Sequence, residues 1–346
     1  MKKTLFLLLA LIVVALLAAL PVIGSRAMVQ DLFMVFCLAI LAMNWNMLAG
    51  FAGLVSVGQQ VFVGLGAYTM FAAVILLGLN PIVGVFLGAA LAMVLALPIA
   101  FFTFRLNGAY FAIGTWAVAD IARLLIGQWK ALGGGTGTAL PREATQEMAG
   151  IELIRTLIGG SKAAAVDAFT YWLALLLALA ILLASFGFLR SRMGLGLQAV
   201  RDNPEAARAV GVDPTRLKAL VFLLSAGATG LCGGLLFIQI GRISPDAAFS
   251  LLDWTAFVIF IVVIGGIGTL PGPLLGVLVF YGLKQLLADY GTLYLIILGL
   301  GGIAIMLFAR QGLWGALIAR VGDPLPLSHE PPAPRSTGPR PIGPRS

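Results

Sequence analysis

The chain has 346 residues, of which 60% are hydrophobic and 10% charged, with a mean hydropathy of +1.04. A soluble domain carries about 25% charged residues, so this composition excludes a cytosolic enzyme, a disordered chain and a secreted disulfide scaffold. It predicts an all-α, polytopic helical membrane protein. The net charge of +8 falls between the apolar runs, where it orients a membrane protein, and not on a nucleic-acid-binding face.

A spanning helix needs about 20 mostly apolar residues. Ten candidates follow in chain order: 4–23, 29–49, 57–78, 82–103, 108–127, 168–189, 216–240, 252–268, 274–289 and 293–309. The first stretch, from Lys2-Lys3 to Ser25-Arg26-Ala27, also fits a signal peptide with a small-residue cleavage site. We read it as an uncleaved first helix. The eighth and ninth candidates are short and interrupted by Gly265, Gly266, Gly268, Pro271 and Pro273, which predicts discontinuous helices there. With the N-terminus inside, the inside segments hold 14 Lys and Arg and the outside segments 6. That bias predicts both termini on the cytoplasmic side.

The spans and their loops form one transmembrane domain over 1–322. Residues 128–167 are an outside loop, and 190–215 an inside loop that is basic and polar. The tail 323–346, rich in Pro, Arg and Ser, reads as disordered.

Chemistry-bearing residues are sparse. There is no phosphate-binding G-x-x-x-x-G-K-[ST] loop, and Gly159-Gly160-Ser161-Lys162 is too short to form one. The single histidine, His329, sits in the tail, so neither a Ser-His-Asp set nor a histidine metal site is expected. Cys37 and Cys232 lie inside apolar runs and read as small buried hydrophobes. No cofactor is expected. Asp120 and Arg123 are three apart on one helix face, placed to pair. Trp129, Trp172 and Trp254 read as an outer interfacial belt and Trp314 as an inner anchor.

The inside loop has the clearest local signal. Asn203 is a good N-cap and Pro204 suits the first helical position. Glu205 sits where the helix dipole favours an anion, and Gly211 suits a left-handed C-terminal position. A two-turn helix over 204–210 follows, and Asp213-Pro214 starts the next span in the same way. Such a helix is either a connector or the place where a soluble partner pushes on the membrane domain.

Glu205-Ala206-Ala207 followed by Gly211 resembles the EAA-x-x-x-G signature of importer-type ABC permeases. Further blocks narrow the resemblance to branched-chain amino-acid permeases, of the M type in the paired H and M subunits. They are Gly50-Phe51-Ala52-Gly53-Leu54-Val55-Ser56-Val57-Gly58-Gln59, Gly64-Leu65-Gly66-Ala67-Tyr68, Gly108-Ala109-Tyr110-Phe111-Ala112-Ile113 and Arg201-Asp202-Asn203. Ile243-Ser244-Pro245, Gly265–Gly276 and Gln311–Gly315 complete the set, and the resemblance covers about residues 28–316. Gly133–Thr138 matches the family's TGG-x-x-G-L stretch only loosely, and Gln60 adds a second amide beside Gln59. Permeases for urea and short amides share most of these blocks.

The resemblance implies a heterodimer with a second homologous permease subunit, two ATP-binding cassette subunits and a periplasmic substrate-binding protein. It implies that Asn203, Pro204, Glu205, Ala206, Ala207, Arg208 and Gly211 form the coupling helix. Arg201 and Arg208 then either pair with partner acids or set orientation. A zwitterion or amide needs a polar path through lipid, and Ser56, Gln59, Gln60, Tyr68, Asn107 and Tyr110 are the candidates to line it. Interhelical hydrogen bonding is the other reading of these six. Glycines at 53, 58, 64 and 66 and at 266, 268, 272 and 276 fit either an internal repeat flanking the path or close helix packing. An ATP-independent secondary transporter is the rival class. It requires an intramembrane charge for a coupling ion, and only Asp120 with Arg123 is available.

Overall fold

Uncharged apolar runs form long helices, and seven of the described helices start at a short polar side chain that caps them. The computed structural model describes residues 2–148, 150–287, 296, 297, 299–303 and 312–321. The helices are α1 (Lys2–Ile23), α2 (Arg26–Asn46), α3 (Gln60–Leu77), α4 (Pro81–Thr103), α5 (Ala109–Gly127), α6 (Arg142–Gln146), α7 (Ile151–Ile158) and α8 (Lys162–Arg190). They continue as α9 (Arg192–Asp202), α10 (Pro204–Ala209), α11 (Pro214–Ile240), α12 (Pro245–Ala248), α13 (Phe257–Gly265) and α14 (Gly272–Leu286). A further helix spans Gly312–Val321. Ser25, Asn80, Ser161, Ser191, Asn203, Asp213 and Ser244 each accept a hydrogen bond from a first-turn N–H. Each such cap contributes about 1 kcal/mol.

Among the described residues, seven helical stretches are long and apolar enough to cross a membrane: Arg26–Phe51, Gln60–Leu77, Pro81–Thr103, Ala109–Gly127, Lys162–Arg190, Pro214–Ile240 and Pro245–Gly265. Leu8–Ile23 and Gly272–Leu286 are shorter apolar helices. The sequence reading of ten spans is therefore matched by seven of full length. Two are shorter, and most of the tenth, 293–309, lies outside the described residues, as does the tail 323–346. The expected interruption after Gly265 is present, because α13 ends there and α14 begins at Gly272.

The centre of the bundle is α2, 89% buried over its apolar window and packed against α8, α11, α13 and α14. At the periphery α5 is only 17% buried, exposing Ile113, Ile121, Leu124 and Leu125. The middle packs backbone to backbone. A Cβ built on Gly66 of α3 would lie 2.1 Å from the Gly230 carbonyl oxygen of α11, and one on Gly88 of α4 would lie 2.6 Å from the Gly66 oxygen. Gly58, Gly64, Gly265 and Gly276 sit in similarly tight contacts. These glycines act as small-residue packing surfaces.

Helix α1 lies outside this core and is tied to α8 by side chains that complete its backbone. Pro21 lacks the N–H that would bond the Leu17 carbonyl. The Tyr171 hydroxyl donates to that oxygen at 2.8 Å, and the Trp172 indole donates to the Ala18 oxygen at 2.9 Å. Trp254, expected in an interfacial belt, is buried and donates to the Ala247 oxygen at 2.7 Å. Residues 128–161 are held to the bundle by a short antiparallel pair, β1 (Thr138–Ala139) with β2 (Arg242–Ile243). Cys37 and Cys232 are free and buried, with the Cys232 thiol 3.6 Å from the Cys37 carbonyl oxygen.

Two substitutions test the packing. Gly66→Ala forces apart the α3–α11 contact and is expected to cost about 1–3 kcal/mol. Gly187→Ala, in α8 with open space around it, is expected to be neutral or stabilising by up to ~1 kcal/mol. Thermal unfolding of the two detergent-purified variants against the parent reads both.

Candidate functional site

The segment between α8 and α11 is built from local signals. The Asn203 side-chain oxygen accepts from the N–H groups of Glu205 and Ala206, both at 3.1 Å, and Pro204 opens α10. The C-terminus closes with the Val212 N–H on the Ala207 oxygen and the Gly211 N–H on the Arg208 oxygen, both at 3.0 Å. That is a Schellman closure, and Gly211 takes its left-handed position at φ +87°. Asp213 caps α11 through Thr215 and Arg216. From Pro204 to Gly211 only Ala207 is buried, and Val210 is 77% exposed. The result is a short helix, fixed at both ends and exposed on most of its surface. Behind it lies a cavity of about 830 Å³, lined among others by Asn107, Glu205, Arg208, Lys218, Leu54 and Phe104.

The second feature is the stretch 52–59 between α2 and α3. Helix α2 ends in a π-helical turn, Met47–Phe51, and the chain then turns back alongside it. The Trp45 indole donates to the Ser56 carbonyl oxygen at 2.7 Å, and the Gln59 amide to the Leu41 oxygen at 3.0 Å. Gln59 also donates to the Thr229 hydroxyl at 3.3 Å, and the Val57 N–H to the Thr115 hydroxyl at 3.1 Å. Gln60 pairs with Thr255, whose hydroxyl donates to the Gln60 side-chain oxygen and accepts from its backbone N–H. Non-helical backbone at membrane depth survives only where protein or a water-filled cavity satisfies it.

The third feature joins this break to the one between α13 and α14. The Asn46 side chain accepts from the Gly268 N–H and donates to the Thr269 oxygen, both at 2.8 Å. Gly50 is pressed against the same loop, since its Cβ would meet the Gly268 nitrogen at 2.5 Å.

The six residues expected to line a path do not form one group. Ser56, Gln59 and Gln60 cluster in the buried stretch. Tyr68 lies further along α3, buried and stacked on Phe249 with ring centroids 6.1 Å apart. Asn107 faces the cavity behind α10, and Tyr110 is 73% exposed on α5. Among the described residues, the Gln59 side-chain oxygen and the Tyr68 hydroxyl are buried without a hydrogen-bond partner. Each such group costs about 1–3 kcal/mol. Thr115, Thr229 and Thr255 escaped the sequence reading because a threonine on a helix carries no pattern of its own. Asp120 and Arg123 do pair, at 2.9 Å, and Arg123 also meets Asp246 at 2.7 Å. With 46% and 80% exposure at the two acids, this is a surface ion cluster at the end of α5 remote from α10. Another polar cluster, also missed, surrounds Asp167, which is buried and accepts from Arg26, from Gln30 at 2.9 Å and from Gln239 at 2.9 Å.

Residues 27–310 match the family described as branched-chain amino acid transport system / permease component. The high-affinity branched-chain amino acid transport system permease protein LivM of Salmonella typhimurium is 31% identical over 330 residues, covering 90% of this chain and 75% of that protein. LivM of Escherichia coli K12 is similar to the same extent, 31% over 330 residues with the same coverage of both chains. A shorter match, 33% over 136 residues, covers 37% of this chain and 38% of the fructose import permease protein FrcC of Rhizobium meliloti. No solved structure matches the chain.

Asn46→Leu strips the Gly268 N–H and the Thr269 carbonyl of their partner together. The expected loss is about 2–6 kcal/mol, at roughly 1–3 for each orphaned group, seen as a lower unfolding midpoint in detergent.

Proposed function

Because the chain belongs to the permease family of branched-chain amino-acid transport systems, we propose that it is the membrane-spanning M-type subunit of an ATP-driven importer for leucine, isoleucine and valine. It pairs with a second, homologous permease in a bacterial inner membrane, with α10 on the cytoplasmic side. Two ATP-binding subunits dock on the α10 helices of the pair, and a periplasmic binding protein delivers substrate to the opposite face. ATP binding in those partners moves α10, and the bundle alternates between the two open states. ATP hydrolysis belongs to the partners.

The observation that carries this reading is α10 itself. Capped at Asn203, closed at Gly211 and buried only at Ala207, it offers an outward surface and lacks the freedom to absorb a push by bending. The substrate class rests on the two relatives matched over most of their length. The 52–59 stretch supports a path beside it, since a zwitterion needs polar partners in lipid and Gln59 holds an unpaired polar atom there.

Reconstitution with the second permease, both ATPases and the binding protein, followed by radiolabelled leucine uptake, tests the reading. ATP-dependent uptake that excess urea leaves unchanged is the expected result. ATP-dependent urea uptake without leucine uptake reassigns the substrate, and uptake indifferent to ATP overturns the mechanism. Gly211→Asp is a sharper probe. Open space surrounds Gly211, and aspartate is among the side chains that best tolerate a positive φ. The variant is expected to insert in the membrane yet lose ATP-driven uptake.

A further inference from the structure

We propose that Arg201 is the positioning residue that links α10 to the two helix breaks, so that movement of the short helix reaches both irregular stretches through one guanidinium. The inference rests on the importer reading above and adds a route for the force.

Arg201 stands in the last turn of α9, three residues before the first residue of α10. Its Nε donates to the Asp202 carboxylate at 3.0 Å, which orients the guanidinium. Its Nη1 donates to the Gly50 carbonyl oxygen at 2.8 Å. Gly50 belongs to the π-helical end of α2, where helix carbonyls lack partners and a cation is favoured. The arginine stem packs on the start of the first break, with its Cγ 3.4 Å from the Cβ position of Gly53. Nη1 also lies 3.5 Å from the Cβ position of Gly268, in the second break. One side chain thus touches both interruptions at the point where Gly50 and Gly268 press together.

The two polar links at this junction differ in kind. Asn46 is buried and holds the breaks to each other. Arg201 is 38% exposed at its side chain and holds the breaks to the loop that carries α10. A partly hydrated, charge-assisted contact can be made and released during a cycle, and a buried amide clamp cannot do so at comparable cost.

The test uses the complete reconstituted importer and measures ATP hydrolysis and leucine uptake in parallel for Arg201→Ala, Arg201→Gln and Arg201→Lys. The readout is leucine moved per ATP hydrolysed. In Arg201→Ala this ratio is expected to fall about tenfold, the worth of one charge-assisted hydrogen bond, with hydrolysis and co-purification of the ATPases retained. Arg201→Lys, which keeps a charge and a donor, is expected to recover part of the ratio, and Arg201→Gln less. An unchanged ratio in Arg201→Ala overturns the proposal, as do uptake and hydrolysis that fall in proportion. If the alanine variant does not assemble, Arg201→Lys decides: a severalfold lower ratio supports the link and a parental ratio overturns it. ATP-dependent uptake by the unaltered chain is the control. Its absence overturns the importer reading itself, whereas its presence with an unchanged ratio overturns the Arg201 link alone.

Discussion

Backbone amides have no water to turn to inside a bilayer, and the core of this molecule is organised around two places where the helix gives out. At 52–59 and at 266–271 the chain stops supplying its own i to i−4 bonds. Side chains from elsewhere take over: Trp45 and Thr115 serve the first stretch directly, and Asn46 serves the second. Trp45 and Asn46 sit on the capped, well-buried α2, and Thr115 reaches in from the peripheral α5. The long helices thus act as a frame that presents hydrogen-bonding groups to the irregular segments at depths where an unpaired group is costly.

The same constraint divides the molecule into two differently built ends. Near α12, the Asp167 cluster draws α2, α8 and α11 together through three donors on one carboxylate, and the Arg123 ion cluster ties α5 to α12. A buried carboxylate with that many partners anchors what surrounds it. At the other end the corresponding polar groups sit on a small exposed helix and a partly hydrated arginine. One end is pinned by buried charge, and the other stays accessible.

What the sequence made legible was whatever depends on neighbours along the chain. Asn203-Pro204, Asp213-Pro214 and Gly211 announced the boundaries of α10 and α11 within a residue, because caps and left-handed glycines are local chemistry. The glycines and prolines between Gly265 and Pro273 announced a break for the same reason. Pairings across the fold left no such mark. Gln59 meets Thr229 across 170 residues, and Gln60 meets Thr255 across 195. Threonine on a helix and amides beside glycines are compatible with many folds, so nothing along the chain separated the buried Ser56 and Gln59 from Tyr110, which the bundle exposes on α5. Trp254 failed differently. A tryptophan near a span end fits an aqueous interface, but here the Ala247 carbonyl supplies the partner that the interface would have supplied.

The glycine contacts among α3, α4 and α11 carry a mechanical consequence. Backbones that touch at Gly66, Gly88 and Gly230 cannot slide past one another without collision, so the three helices behave as a single beam. The beam begins at Pro214, three residues beyond Gly211, with no flexible tether between. Helix α11 has 27 residues and is thus about 40 Å long at 1.5 Å per residue. A tilt of roughly 10° about its far end, where Gln239 is held on Asp167, would carry the α10 end by about 7 Å on that rise per residue. Stiffness in the middle lets a displacement at α10 tilt all three helices as one body.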